Sequence, residues 1–256
     1  MADVHPSAVV DPVARLAAGV VVGPFCVVEA DVVVEAGARL LPGTVLLNGV
    51  RVGPRAVLGP YAALGGAPMD DAFAGERSEV RLGADVQVRD FASIHRASTP
   101  GGATHVGDGT LVMSYAHVSH DARVGRGVTL TTTVQLGGYT EVHDHAVLGA
   151  GAMVHQYTRV GAYAMVGADS AVNRDVLPYT LARGSMAEHF RLNGVGLTRH
   201  GIDGDRYRAL EAAVRALRRR DEDAFHALAD ASPDVERLRT FRAASRRGLA
   251  RFRGRR

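Results

Sequence analysis

The feature that most constrains the fold is an aliphatic residue that recurs at every sixth position. From Val10, each step of six reaches Val or Leu as far as Leu64, and the same register returns at Leu82 and again from Val106 to Val172. A hexapeptide period of this kind predicts a parallel β-helix. Each hexapeptide forms one short strand and a turn, three of them make a coil, and the aliphatic side chains point inward and stack between coils.

The composition agrees with a fold of many short strands and turns. Glycine is abundant at 30 residues, whereas aromatic residues make up only 5% of the chain and tryptophan is absent. Glycine is suited to coil corners that need unusual backbone angles. Two stretches, residues 65–79 and 95–104, interrupt the repeat without shifting its register. We therefore expect two surface loops on a rigid scaffold, where binding residues tend to lie.

The repeat ends near Asn173, and amphipathic helical patterns follow it. Ser232 and Pro233 are typical of a helix N-cap and first turn. We therefore predict a mainly β protein with a β-helix domain at residues 1–186 and a C-terminal α-helical domain at residues 187–256.

Charge and cysteine content exclude several kinds of chemistry. All 30 basic residues are arginine, so no lysine can act as a nucleophile or form a Schiff base. The single cysteine, Cys26, excludes an internal disulfide framework and a multi-cysteine zinc site. The arginine-rich tail favours an acidic partner, but without interleaved aromatic residues it does not indicate nucleic-acid binding. No signal peptide or membrane-spanning run is evident, and we expect a cytoplasmic protein without stable membrane insertion.

The stretch AHVSHD, residues 116–121, contains the pattern most suggestive of catalysis. A histidine followed by an aspartate can act as a general base with a carboxylate that orients it, or can be two polar residues on a wet surface. Residues separated by about three hexapeptides stack on the same edge of the coil. This register places His120, Tyr139 and His155 along one groove, and His117 is expected to line it as well.

The repeat in combination with several short motifs resembles the UDP-N-acetylglucosamine O-acyltransferase family, which catalyses the first step of lipid A biosynthesis. The likeness covers nearly the whole chain, including both loops and the helical tail. The motifs that carry it are FAGE at 73–76, SIHR at 93–96, AHVSHD at 116–121, VHQY at 154–157, DVLPY at 175–179 and NGVGLTRHG at 193–201.

The resemblance implies a left-handed coil, a homotrimer and an activity that needs neither cofactor nor metal. It implies transfer of a 3-hydroxyacyl group from acyl carrier protein to the 3-position of UDP-N-acetylglucosamine. It assigns His120 as the general base, Asp121 as its partner and Gly138 as the oxyanion donor. The substrate-binding residues that it implies are Asp70, His95, His117, Tyr139, His155, Gln156, Asn193 and Arg199. Ala168 takes the position that limits acyl length, and a small residue there suggests a medium to fairly long chain.

Three positions depart from the family pattern and leave the acceptor open. Ala72 replaces an expected lysine, Tyr139 a frequent histidine and His200 a second arginine. The acceptor is therefore either UDP-N-acetylglucosamine or its 3-amino analogue, which would yield an amide. Three further alternatives are an acetyl-CoA-dependent nucleotide-sugar N-acetyltransferase, a zinc hydrase with His117 and His120 among three ligands, and a catalytically inactive scaffold.

Overall fold

The period of six produces a three-sided coil. The computed structural model describes residues 1–254. Val9 and Val10 pair with Val27 and Val28 in parallel, so each coil advances the chain by three hexapeptides. This is the left-handed β-helix expected from the sequence and its family resemblance, followed by C-terminal helices.

The strands are very short because each side of the coil holds only six residues. In chain order they are Asp3–Val4 (β1), Val9–Val10 (β2), Arg15–Leu16 (β3), Val21–Val22 (β4), Val27–Val28 (β5), Val33–Val34 (β6), Arg39–Leu40 (β7), Val45–Leu46 (β8), Val50–Val52 (β9), Val57–Leu58 (β10), Ala63–Gly66 (β11), Glu79–Leu82 (β12), Gln87–Val88 (β13), Ser93–His95 (β14), Ala103–Val106 (β15), Leu111–Val112 (β16), His117–Val118 (β17), Arg123–Val124 (β18), Thr129–Leu130 (β19), Gln135–Leu136 (β20), Glu141–Val142 (β21), Val147–Leu148 (β22), Met153–Val154 (β23), Arg159–Val160 (β24), Met165–Val166 (β25), Ala171–Val172 (β26), Thr180–Arg183 (β27) and Glu188–Leu192 (β28).

Every third strand joins the same sheet. Sheet 1 runs from β1 through β4 to β25, β27 and β28; sheet 2 runs from β2 to β26; sheet 3 runs from β3 to β24. Counted over residues 1–254, the sheets contain 11, 9 and 8 strands. We refer to the three corners as edge 1–2, edge 2–3 and edge 3–1. Edge 2–3 includes residues 119–122, 137–140 and 155–158, and edge 3–1 includes residues 143–146 and 161–164.

The predicted inward residues form one continuous core. Leu40, Leu58 and Leu136 are almost completely buried, and each stacks on its equivalents in the adjoining coils. Complete burial of such a side chain stabilises the fold by about 1.5–3 kcal/mol. A second inward position, two residues earlier in each hexapeptide, carries small residues such as Ala38 and Ala56. The interior therefore alternates large and small side chains.

Many coil corners are occupied by bulky residues and not by the glycine that the sequence led us to expect. Tyr61, Phe91 and Tyr115 adopt left-handed backbone conformations with φ of 57–60° on edge 1–2. Their rings stack at centroid distances of 5.3 and 5.1 Å. Bulky residues in this conformation cost roughly 1 kcal/mol or more each. Ring stacking between successive coils offsets part of that cost.

Both register-preserving interruptions are loops. The first leaves after β11 and the chain returns in β12, where Val80 pairs with Val50. The second leaves after β14 and returns in β15, where Val106 pairs with Leu82. The coils on either side therefore stack directly, and the extra residues lie outside the core.

After the coils, the described chain, up to residue 254, contains four helices, Gly194–Arg199 (α1), Gly204–Arg219 (α2), Glu222–Ala231 (α3) and Pro233–Ala243 (α4). The prediction of helical structure from residue 187 is wrong for β28, which pairs antiparallel with β27. The cause is buried His189, whose imidazole accepts from the Leu177 N–H and donates to the Ala250 carbonyl. Pro233 begins α4 as predicted, although the Ser232 side chain makes no capping bond. Within residues 1–254, no helix has the length and apolar character needed to cross a bilayer.

Candidate active site

His120 and Asp121 form a hydrogen-bonded pair on edge 2–3. The His120 Nδ1 and Asp121 Oδ2 atoms are 3.0 Å apart, and His120 is only 5% exposed. Strand β17 ends just before this pair, and Asp121 has a left-handed conformation with φ of 58°. Aspartate accepts this conformation more readily than most residues. The same turn therefore bends the chain and points the carboxylate at the imidazole.

The surroundings of Asp121 favour its charged form. Burial acts to raise the pKa of this carboxyl, but hydrogen bonds from Thr99, Ser98 and His120 outweigh burial and hold the pKa below its ordinary value. Asp121 is therefore an anion near neutral pH and accepts the Nδ1 hydrogen of His120. That arrangement leaves Nε2 of the neutral imidazole as a free acceptor, as a general base requires.

Gly138 lies against the imidazole of His120. A methyl group on Gly138 would lie 2.6 Å from Cε1 and 2.7 Å from Nε2 of that ring. Glycine is therefore required here by the close approach of the backbone to the ring. Among residues 1–254, no acceptor pairs with the Gly138 N–H, whereas the Gly138 carbonyl accepts from the Tyr157 N–H. The N–H is available to a ligand beside Nε2.

Two further histidines lie next to this pair on the outer surface of sheet 2. The His117 Nδ1 atom is 2.8 Å from the Ser93 hydroxyl, and the His95 and His117 rings meet edge to face at 4.7 Å. Burial, with repulsion from His95 and His120, lowers the pKa of His117 to about 4. Burial also lowers the pKa of His95. Both imidazoles are therefore neutral at pH 7.

Each of these neutral histidines has one buried nitrogen without a protein partner. His95 Nδ1 and His117 Nε2 are enclosed, and neither forms a hydrogen bond to residues 1–254. Buried polar atoms of this kind are costly unless something pairs with them. The two nitrogens therefore carry an uncompensated cost of burial in the chain without substrate.

Tyr139 lies beside His120 on edge 2–3. Its ring meets His120 edge to face at 5.4 Å and stacks on Tyr157 at 4.8 Å. Its hydroxyl is 2.9 Å from the Ser98 hydroxyl. The phenol therefore reaches the hydrogen-bond network around Asp121.

Sequence reasoning missed Ser98, which lies in the loop at residues 95–104. Its N–H and hydroxyl donate to Asp121 Oδ2 at 2.7 and 2.9 Å, and its hydroxyl also lies 3.2 Å from Asp70 Oδ2. The interruption of the repeat indicated that binding residues could lie in this loop. No periodic signal linked one serine within it to an aspartate in a later coil.

His155 and Gln156 occupy the next coil of edge 2–3. The backbone N–H of Gln156 lies above Gly137, where a methyl group would approach the nitrogen to 2.7 Å. The His155 ring is exposed, and its Nδ1 lies 3.0 Å from the Gln156 carbonyl. Both residues therefore lie one coil beyond Gly138 on the same edge.

Asn193 and Arg199 lie on a different edge of the chain. The Asn193 side chain caps α1 through the Gly196 N–H and donates to the Tyr163 carbonyl on edge 3–1. Arg199 is exposed in the last turn of α1. The adjacent His200 ring lies 4.6 Å from His145. A single chain therefore does not bring these residues to His120.

Two other surfaces also lie away from His120. Ala168 is exposed on edge 1–2, in the turn between β25 and β26. A cavity of about 820 Å³ lies between α4 and edge 3–1, and Arg126, His143 and Phe241 are among its lining residues. None of the predicted catalytic residues lines it.

Within residues 1–254, no three histidine, cysteine, aspartate or glutamate side chains converge as metal ligands.

Comparison with known proteins places this architecture in one family. Residues 175–250 match the family model described as UDP N-acetylglucosamine O-acyltransferase, domain 2. The chain is 42% identical to an acyl-[acyl-carrier-protein]–UDP-N-acetylglucosamine O-acyltransferase from Alkalilimnicola ehrlichii, and 34% identical to one from Thermodesulfovibrio yellowstonii. Both alignments cover 98% of this chain and 100% of the relative.

Solved structures agree with these relatives. The UDP-N-acetylglucosamine acyltransferase of Francisella novicida superimposes with a TM-score of 0.93 at 27% identity, over 97% of this chain and 94% of that one. The enzyme from Bacteroides fragilis superimposes with a TM-score of 0.91 at 27% identity, over 97% and 100% of the two chains. The chain belongs to the UDP-N-acetylglucosamine O-acyltransferase family.

Proposed function

We propose that this chain transfers a 3-hydroxyacyl group from acyl carrier protein to the 3-hydroxyl of UDP-N-acetylglucosamine, the first step of lipid A biosynthesis. The observation that carries the proposal is the close grouping of His120, Asp121 and Gly138. The Nδ1 atom of the imidazole is held by an ionised carboxylate, and its Nε2 edge faces a backbone with a free N–H. The names of the full-length relatives agree with this reaction.

In the proposed reaction, His120 Nε2 accepts the proton of the sugar 3-hydroxyl while that oxygen attacks the thioester carbon. The carbonyl oxygen gains negative charge, and the Gly138 N–H donates to it. Asp121 stabilises the imidazolium that forms. Collapse of the tetrahedral intermediate breaks the carbon–sulfur bond. The imidazolium then returns the proton to the thiolate, which leaves the acylated sugar and the free carrier thiol.

The remaining predicted residues receive roles from their positions along edge 2–3. Asp70 is proposed to accept from a sugar hydroxyl, because Ser98 holds its carboxylate close to Asp121. His95 and His117, which lie together beside the catalytic pair on sheet 2, are proposed to contact the sugar or the acyl group. His155 and Gln156, one coil further on, are proposed to contact the UDP portion.

A homotrimer is part of the proposal, and the outward side chains of the sheets support it. Sheets 1 and 2 present mostly apolar residues, whereas sheet 3 presents many arginines. The outward residues concerned are Val21, Val57, Leu111, Val147 and Met165 on sheet 1, Val9, Val27, Val45, Ala63 and Met153 on sheet 2, and Arg15, Arg51, Arg81, Arg123 and Arg159 on sheet 3. Large exposed apolar surfaces mark interfaces.

Packing sheet 1 of one copy on sheet 2 of the next would complete the active site. Edge 2–3 of one chain then meets edge 3–1 of its neighbour at the outer rim of the interface. In this arrangement Asn193 and Arg199 of one copy approach His120 of another, and a charge-assisted bond from Arg199 to a phosphate becomes possible. The same packing would bring Ala168, on edge 1–2, towards the inner end of the groove as the proposed limit on acyl length.

Mass spectrometry of products tests the proposed function and identifies the acceptor. Wild-type protein and the His120→Ala variant would be incubated with 3-hydroxyacyl carrier proteins of several chain lengths and either UDP-N-acetylglucosamine or its 3-amino analogue. We expect an ester product with wild type and none with the variant. An amide product alone would change the acceptor to the amino sugar. No product from any carrier, with acetyl-CoA also inactive, would overturn the proposal.

A further inference from the structure

Ser98 joins three groups that belong to different parts of the candidate active site. Its hydroxyl oxygen lies 2.9 Å from Asp121 Oδ2, 3.2 Å from Asp70 Oδ2 and 2.9 Å from the Tyr139 hydroxyl. Asp121 orients the proposed base, and Asp70 is the proposed contact for the sugar. One serine therefore lies between the catalytic pair and the substrate-binding carboxylate.

The hydrogens available to this group determine how it can be arranged. The Ser98 N–H is directed at Asp121 Oδ2, at 2.7 Å. The Ser98 hydroxyl has only one hydrogen and cannot donate fully to both carboxylates. Either hydroxyl could donate in the 2.9 Å contact between Ser98 and Tyr139, but when the serine hydrogen is directed at a carboxylate the Tyr139 hydroxyl must be the donor to Ser98 Oγ. In the absence of substrate, the serine hydrogen is therefore shared between Asp121 and Asp70.

The conformation of the loop does not depend on this hydroxyl. Backbone hydrogen bonds hold residues 95–104 at both ends and in the middle: Arg96 N–H to Gly66, Ala97 N–H to Glu79, Gly101 N–H to Arg77 and Gly102 N–H to Thr99. The loop also contains Thr99, whose N–H approaches Asp121 Oδ1 at 3.3 Å. Removal of Ser98 Oγ therefore changes the carboxylates that it touches more than it changes the loop.

We propose that Ser98 is a positioning residue that couples occupation of the sugar site to the His120–Asp121 pair. When a sugar hydroxyl donates to Asp70, that carboxylate no longer competes for the serine hydrogen, which then belongs to Asp121 alone. The fuller hydrogen bond holds the Asp121 carboxylate in place against His120 Nδ1. This inference rests on the proposed function, because it takes Asp70 as the contact for the sugar.

Tyr139 gains a role in this arrangement. Its phenol donates to Ser98 and so leaves the serine hydrogen free to face a carboxylate. The edge-to-face contact of Tyr139 with His120 and its stacking on Tyr157 hold the phenol in position. Tyr139 thus supplies a donor that reaches the loop.

The test compares Ser98→Ala with Ser98→Thr and with Tyr139→Phe. Steady-state assays would measure kcat and KM for UDP-N-acetylglucosamine, and calorimetry would measure its Kd. Loss of a hydrogen bond to a carboxylate corresponds to about a tenfold fall in kcat for Ser98→Ala. We expect a smaller fall for Tyr139→Phe, near-complete rescue by threonine and a Kd within about twofold of wild type.

A proton NMR measurement distinguishes coupling between the sugar site and the His120–Asp121 pair from a general effect of the substitution on the structure. The downfield proton resonance of His120 Nδ1–H would be recorded with and without UDP-N-acetylglucosamine. We expect a ligand-dependent shift in wild type and in Ser98→Thr, and its loss in Ser98→Ala. Ser245→Ala is the matched control, because it removes another serine–aspartate bond, to Asp175 Oδ2 at 2.7 Å, distant from His120.

Two outcomes would overturn the inference: an unchanged ligand-dependent shift in Ser98→Ala, or a kcat for Ser98→Ala equal to that of Ser245→Ala. Failure of the proposed function would look different. In that case wild type would form no acylated product with any carrier, while binding of UDP-N-acetylglucosamine and the proton shift would still decide whether Ser98 couples the two carboxylates.

Discussion

At the residue scale, Asp121 serves two purposes in one position. It forms the left-handed corner of the coil, with φ of 58°, and its carboxylate holds the imidazole of His120. Asp85 has nearly the same conformation, with φ of 57°, but lies exposed and paired with Arg55. The corner conformation alone therefore does not make an aspartate catalytic. Its neighbours do, through the hydrogen bonds that keep the buried carboxylate ionised.

Asp121→Asn is expected to lower kcat by about 10²–10⁴-fold with little change in KM. The amide can donate to Nδ1 and so favours the tautomer whose Nε2 carries a hydrogen and cannot accept one. Steady-state acyl transfer with UDP-N-acetylglucosamine measures this. Asp85→Asn, in the same backbone conformation, should retain wild-type kcat. Equal rates for the two variants would remove Asp121 from the mechanism.

Gly138→Ala is expected to abolish most activity while the fold is retained. The new methyl group would lie 2.6 Å from the His120 ring, so the imidazole must move away from the oxyanion position. Gly59→Ala is the control, because a methyl there would meet Arg89 backbone at the same 2.6 Å on edge 1–2. Melting temperature and kcat would be measured for both variants. Gly138→Ala should lose kcat, whereas Gly59→Ala should keep kcat and change at most the melting temperature. A Gly138→Ala enzyme with normal kcat would contradict the assigned geometry.

At the element scale, the end of the β-helix is closed by segments that are distant in the chain. Strand β28 adds to sheet 1, and the C-terminal segment near Phe252 runs beside His189. His189 bonds both Leu177 and Ala250, so one imidazole connects the last coil, β28 and the C-terminal segment. Burial lowers the pKa of His189 to about 4, and its bond to Ala250 only partly opposes this.

This histidine makes stability depend on pH in a predictable direction. The folded protein keeps His189 neutral, whereas the unfolded chain gains a proton below about pH 6.5. Acidification therefore lowers the free energy of unfolding, and this decrease is nearly complete once the pH has fallen to about 4. Between pH 7 and pH 5, the contribution of His189 lowers the free energy of unfolding by about 2 kcal/mol.

Urea unfolding of wild type, His189→Gln and His226→Gln at pH 7 and pH 5 tests this linkage. His189→Gln should be less stable at pH 7 but should lose about 2 kcal/mol less than wild type on acidification. His226 is exposed on α3, so His226→Gln should follow wild type. The same acid-induced loss in all three proteins would show that His189 is not the group that titrates.

At the scale of the whole molecule, the candidate site is divided between two edges. His120, Tyr139 and Gln156 share edge 2–3, whereas Asn193 and His200 lie against Tyr163 on edge 3–1. In the proposed trimer, a second copy would bring these two edges together. The proposed trimer thereby accounts both for the uncovered apolar faces and for the divided site.

Complementation between inactive variants tests this arrangement. His120→Ala and Arg199→Ala chains should each be nearly inactive alone, because each lacks one half of every site. In trimers assembled at random from equal amounts, about a quarter of the sites combine an intact His120 with an intact Arg199 from the neighbour. Co-expression with two affinity tags isolates the mixed trimers, in which one of the three sites is intact, so their activity should be about a third of that of wild type. Mixed trimers without activity would contradict the shared site.

The period of six was sufficient to predict the coil, its register and the shared edge of His120 and Tyr139. The reason is that a β-helix is nearly one-dimensional: each coil must supply inward residues such as Leu136 at a constant spacing, so sequence position translates directly into spatial position. The corner that holds His120 and Asp121 follows from the same periodicity.

The contacts that fall outside that period could not be predicted from the sequence. Ser98 reaches Asp121 and Asp70 because two loops fold back over edge 2–3, and loop paths are set by their own hydrogen bonds. Strand β28 forms where helix was predicted because His189 finds two buried backbone partners. Asn193 caps a helix on edge 3–1 through contacts with Tyr163. Such non-local contacts leave no periodic signal in the chain, because their energy comes from groups that only folding brings together.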